Sequence, residues 1–301
     1  MKKIIIISTL IIGMNCYSEE SKVVNNIEPY KTNKSVIPED ERGKAFEEIV
    51  EDASKQLMEW AKKLKSSPQL KIIEKSKSKE EGVNSKPKTY EEELNSKEFM
   101  EERDKLFEYI NAGNAAKVRK QLELIKQKFP AIAKQEALGF KLQEVKSYLI
   151  EKKFFEAKKL LTEIIIEIKK QYPDIKGKDI EKISKNDKLF FSEVFGKRGL
   201  INLFYENNFL EAADDLEITL TLIPKHEKDK SYERAYSHLV SALIFSHRIK
   251  DAALWYKKAF EVYPDFHKRP NEHTNICKNI INAGYLELCP PCKDVAENMG
   301  K

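Results

Sequence analysis

The chain has 301 residues, 41% of them apolar and 34% charged, with 10 Gly and 11 Pro. That is enough apolar material for a sizeable core with polar segments to spare, and abundant Lys and Glu with little Gly and Pro favour helix over sheet. The 54 basic and 49 acidic residues give a formal net charge of +5, a mixed surface without the polybasic footprint of a nucleic-acid partner.

Residues 1–15 place Lys2 and Lys3 before an apolar run from Ile4 to Ile12. This is a signal-peptide pattern, too short for a membrane span of about 20 apolar residues. The segment Ile12-Gly13-Met14-Asn15-Cys16 resembles a bacterial lipobox of the relaxed, spirochaete type, which implies acylation of the Cys16 thiol. Ordinary cleavage after Ser18 is the alternative. Both readings export the chain, and lipidation holds it to a cell-envelope membrane, facing the periplasm.

Residues 16–38 are polar and aperiodic and read as a disordered tether. In residues 39–66, Phe46, Ile49, Val50, Ala53, Leu57, Trp60, Ala61 and Leu64 form one stripe opposite Glu48, Glu51, Asp52 and Lys55. That is an amphipathic helix, which docks either on its own chain or on a partner. Residues 67–95, with Pro68, Pro87 and a Lys/Ser/Glu run, read as a flexible linker.

Residues 96–266 carry a repeated pattern. It is clearest from Ser231 to Pro264: Tyr236, Leu239, Ala242 and Leu243, a polar break at Ser246 to Arg248, then Ile249, Ala252, Tyr256, Ala259 and Pro264. These steps of three and four residues predict two amphipathic helices folded back on each other. A second copy runs through Leu200, Leu203, Phe204, Phe209, Ala212, Leu216 and Pro224, with Asn207 and Asn208 at the turn. Looser copies hold Val145, Tyr148, Leu149, Phe154, Ala157 and Leu161, and Leu106, Tyr109, Ile110, Gly113, Val118, Leu122 and Ile125. A Lys-rich insertion near Asp174 to Asp187 is expected to be a loop or short helix, and the paired acids Asp214 and Asp215 are expected on a solvated face.

The order of large aromatic, Leu, small residue, turn, Ala, aromatic, Ala and Pro resembles the tetratricopeptide repeat (TPR). The resemblance implies an all-α solenoid of about four hairpins whose first helices line a concave, peptide-binding groove. Carried over residue by residue, the groove positions are Arg103, Phe107, Leu142, Lys146, Lys197, Ile201, Arg234, Ser237 and Ser241. Basic and apolar side chains alternate in that set, which suits a segment with acidic and apolar side chains. Chaperone-binding relatives use a Lys and Asn clamp; Lys197 fits its first position, but Ile201 stands in place of the Asn.

Residues 267–301 form a cap with a Cys-rich tail, including a helix within Asn271 to Leu288. Without Cys16, three thiols remain, an odd number for an exported protein. A disulfide from Cys277 to Cys289 or Cys292 is the first reading; a structural zinc site of His273, Cys277, Cys289 and Cys292 is another. Cys289-Pro290-Pro291-Cys292 resembles a redox pair, but the preceding strand of such sites is not predicted. With no phosphate loop, nucleophile elbow or metalloprotease helix in the sequence, the expectation is a non-enzymatic, membrane-tethered scaffold that binds another envelope protein. The alternative is thiol-redox or zinc-dependent work by the tail.

Overall fold

Capped helix starts and left-handed turn residues set the frame. The computed structural model describes residues 88–223, 230–263, 266 and 270–300; among the described residues the fold is all-helical, with no strand. The expected signal segment, Cys16, the expected tether and the helix expected over 39–66 lie outside the described residues. The described chain divides into two compact units, the first running to Ile164 and the second starting at Ile165.

In the first unit, α1 (Tyr90–Leu94) begins where Thr89 and Glu92 form a reciprocal capping box. Helix therefore starts inside the stretch expected to be linker, because those two residues satisfy each other's backbone donors. Ser96 caps α2 (Lys97–Asn111), accepting from Phe99 N at 3.2 Å. Gly113, at φ +64°, turns the chain into α3 (Ala115–Lys128), which Asn114 caps.

Pro130 opens a further short helix, α4 (Pro130–Gln135), at a position where a missing N–H is harmless. Glu93, 3% exposed, reaches from α1 to accept from Ile132 N at 2.8 Å. A carboxylate thus satisfies a helix N-terminus within the core. Helix α5 (Ala137–Ile150) packs on α3, and the chain turns at Lys152, φ +57°, into α6 (Phe154–Gln171), whose residues from Ile165 onward belong to the second unit. Phe99, Leu106, Val118, Leu122, Ile125 and Phe140 form the core, each side chain contributing about 1.5–3 kcal/mol on burial.

In the second unit, the expected insertion is a set of turns with a single 3-10 turn, Ile180–Lys182. Ser184 caps α7 (Lys185–Phe204), and Asn207, φ +53°, leads into α8 (Phe209–Leu222). Helices α9 (Lys230–Phe245) and α10 (Ile249–Val262) meet at His247, φ +61°. Each helix packs on the next, α7 on α8, α8 on α9 and α9 on α10, and α7 also touches α9. This is the contact pattern of stacked helical hairpins, in which neighbours bury a continuous core.

Helix α11 (Pro270–Asn282) covers α10 and α9 and is followed by two 3-10 turns and α12 (Lys293–Asn298). Ala252, Ala259 and Leu216 are fully buried, and Tyr256 is 1% exposed; Phe209 and Phe260 are partly buried against the same core.

The acid pair corrects the expectation of a solvated face. Asp214 is exposed and accepts from Arg248 Nη1 at 2.9 Å. Asp215, one residue on, lies on the stripe of Ala212, Leu216 and Thr219, is 1% exposed and is gripped by Arg198.

Candidate functional site

The four hairpin turns fix the register of the first helices α2, α5, α7 and α9. Three turns close by the same bond, from the residue before the second helix to the carbonyl five residues back: Asn114 N to Tyr109 O, Lys153 N to Tyr148 O, and Arg248 N to Leu243 O, all at 2.8–2.9 Å. A second bond at each, Gly113 N to Ile110 O, Lys152 N to Leu149 O and His247 N to Ile244 O, completes a Schellman motif. The α7–α8 turn is one residue longer, with Asn208 N donating to Asn202 O.

That extra residue shifts the expected groove positions on α7. Counted two residues before the accepting carbonyl, the equivalent positions are Phe107, Lys146, Leu200 and Ser241. All four are partly exposed. Most of their neighbours point inward: Leu106, Val145, Ser147, Ile201, Val240 and Ala242 are buried, whereas Glu108 is exposed. Ile201 is thus a core residue, and Leu200, half-buried against the same core, takes its place in the register. The sequence signal was the doubled Asn at 207 and 208, which lengthens the turn.

The remaining groove candidates divide by burial. Leu142 is 2% exposed, Ser237 is 7% exposed, and Lys197 is 9% exposed with Glu193 at 3.6 Å. Arg103 and Arg234 are partly exposed. Arg103 holds Asp104 at 3.0 Å and lies 5.9 Å from the centre of the Phe107 ring. In the second unit, partly exposed Phe204 meets His238 edge-on at 5.1 Å, adding aromatic surface between α7 and α9.

Ser237 instead lines a small cleft with Glu233, Tyr256, Phe266, Glu272 and His273, and His273 in turn contacts Cys277. The Tyr256 hydroxyl is 2.8 Å from His273 Nδ1. Burial, then the charges of Glu272, Cys289 and Asp294, push that phenol well above its ordinary pKa, so it stays protonated. His273 Nε2 faces Asp294 Oδ1 at 3.4 Å, and the ring nitrogens lie 3.8 and 3.9 Å from Cys277 Sγ.

Cys277 is joined to Cys292, with Cα atoms 5.2 Å apart, and ties α11 to the Pro290–Cys292 turn. Cys289 is a free thiol, fully buried, with its Sγ 3.1 Å from Cys292 Sγ. Burial pushes this thiol up to about 12, against the opposing pull of a backbone hydrogen bond from Cys292. The disulfide occupies two of the four donors expected for zinc, and no group of three or more His, Cys, Asp or Glu among the described residues is arranged to hold a metal ion.

No protein-family model, curated protein or solved structure matches this chain. No helix among the described residues is long and apolar enough to cross a membrane.

Proposed function

We propose that this chain is a non-enzymatic scaffold of the bacterial cell envelope, tethered through an acylated Cys16. In this reading the hairpins are TPR-like, and their first helices hold a segment of another envelope protein, helping to stabilise or assemble it. The layout of a lipidated Cys followed by repeats resembles that of lipoproteins that assist β-barrel assembly; this is an analogy of architecture.

The observation that supports this reading is the shared register of Phe107, Lys146, Leu200 and Ser241. One position in each first helix stays partly open where the turn chemistry is the same, or shifted by one residue, while most of its neighbours are buried. Arg103 lies near Phe107 in the sequence of the first unit and Arg234 precedes Ser241 in that of the second, so within each unit those positions suit a ligand with apolar and acidic side chains.

A cross-linked pull-down from intact cells tests the reading, comparing the natural chain with the double variant Lys146→Glu, Ser241→Glu. A specific envelope protein captured by the natural chain and lost by the variant, with unfolding unchanged, is the expected result. Equal capture by both removes the first-helix face from the function. Palmitate labelling lost in Cys16→Ser tests the tether separately.

A further inference from the structure

Three sulfurs lie close together in the cap, two of them joined and the third free. Cys292 Sγ is bonded to Cys277 and stands 3.1 Å from Cys289 Sγ, closer than an ordinary sulfur contact. All three cysteines are fully buried, so Cys289 meets this disulfide with no competing thiol from solvent. Pro290 and Pro291 occupy the 3-10 turn that brings Cys289 and Cys292 together; their fixed φ angles preorganise that approach.

We infer that the cap holds a migrating disulfide, in which Cys277 and Cys289 are alternative partners of Cys292. In the exchange, Cys289 gives up its proton and its sulfur attacks Cys292 Sγ. The Cys289–Cys292 bond forms as the Cys277–Cys292 bond breaks, and Cys277 leaves as a thiolate that takes up the proton. One disulfide and one thiol stand on each side, so no oxidant or reductant is consumed. The departing sulfur lies 3.8–3.9 Å from the His273 ring nitrogens, where a hydrogen-bonding group is at hand.

The two bonds differ in what they hold. Cys277 sits on α11, whereas Cys289 and Cys292 flank one short turn. With the first bond α11 is tied covalently to the tail; with the second it is held only by packing and by polar contacts such as that of Tyr256 with His273. The exchange therefore converts a covalently locked cap into one that can lift from α10, whatever the hairpins bind.

Peptide mapping of the full-length chain tests this. The protein is held at about pH 8.5 for many hours, because burial of Cys289 keeps its thiolate fraction small and slows an exchange that ordinary thiols make readily at this pH. It is then quenched and unfolded in acid, and its thiols are labelled with a pyridyl disulfide reagent active at low pH. Label divided between Cys289 and Cys277 is expected, and in Cys277→Ser under a glutathione redox buffer an internal Cys289–Cys292 bond is expected, with loss of two hydrogens and no glutathione adduct. Wild-type label confined to Cys289 overturns the inference, as does a Cys277→Ser chain that keeps two free thiols while retaining its helical circular dichroism. Should Cys277→Ser not fold, the wild-type label distribution decides alone.

Discussion

Arg198 grips Asp215 with two parallel bonds inside the α7–α8 hairpin, Nε to Oδ2 and Nη2 to Oδ1, both at 2.8 Å. Glu211 adds a third contact at 3.3 Å. Arg198 is 6% exposed and Asp215 is 1% exposed, so neither charge has water as an alternative partner. Asp215→Ala should cost about 3–5 kcal/mol, because it takes from a buried guanidinium its bidentate partner and leaves the half-buried Glu211 in its place. The double variant Arg198→Met, Asp215→Leu should recover most of that loss, since a packed apolar pair needs no desolvation of charge. Urea unfolding of all three proteins measures both. A single variant within about 0.5 kcal/mol of wild type would show that the pair is solvated after all.

Two glycines should respond differently to the same substitutions. At Gly199, a Cβ would fall 3.0 Å from Leu216 Cγ and 3.2 Å from Asp215 Cβ, so Gly199→Ala forces α7 and α8 apart at about 1–3 kcal/mol. At Gly113 nothing lies within 4 Å of the added atom, but φ is +64°. Gly113→Ala therefore carries only the left-handed backbone penalty, about 1–2 kcal/mol. Asn separates the causes: it tolerates the left-handed region and should be mild at 113, yet its bulk should be worse than Ala at 199. Thermal unfolding that ranks the two sites alike would contradict this division.

Glu102 makes part of the first unit's stability depend on acid pH. Gln121 Nε2 donates to Glu102 Oε2 at 2.7 Å, and Lys128 Nζ donates to Oε1 at 2.9 Å. The Gln121 bond first, then Lys128, lower the carboxyl from its ordinary 4.5 to about 2, against the opposing effect of burial. A depressed folded-state pKa adds stability that is fully present above 4.5 and is lost as the pH falls from there through about 2. Glu102→Gln should thus be less stable than wild type at neutral pH, and the gap should close across that window. Denaturation midpoints at pH 7, 4 and 2 give the comparison, and a constant gap would rule out Glu102 as the group concerned.

Periodicity was informative where one apolar stripe met one partner. Ala252, Ala259, Leu216 and Tyr256 were legible as core because their spacing leaves a single face for burial. Asp215 was not, because its charge argued for solvent while its position on the Ala212, Leu216 and Thr219 stripe argued for the interior, and a partner 17 residues earlier decided the matter. Leu200 was missed for a geometric reason, one additional turn residue at Asn207, which fixed repeat spacing does not register. Short helices such as Tyr90–Leu94 and Pro130–Gln135 hold too few residues to show a period. Their only local signs were a capping box and an N-terminal proline. The Cys277 partner depended on three-dimensional approach, since Cys289 and Cys292 are nearly equivalent in sequence.

Ala252 and Leu254 offer a direct test of the α9–α10 packing because they stand two residues apart on α10 and face opposite ways. Ala252 is fully buried within the cluster that includes Tyr236, Leu239 and Leu243, whereas Leu254 is 46% exposed. Ala252→Arg drives a long cation into space sized for a methyl group, and should cost on the order of 3 kcal/mol or more from overpacking and unpaired charge together. Leu254→Arg can extend into water and should change stability by no more than about 0.5 kcal/mol. Urea midpoints for the two variants, with circular dichroism to confirm helix content, should differ severalfold in their shift from wild type. Equal shifts would mean that α10 does not present Ala252 to α9, and the hairpin from Lys230 to Val262 would have to be redrawn.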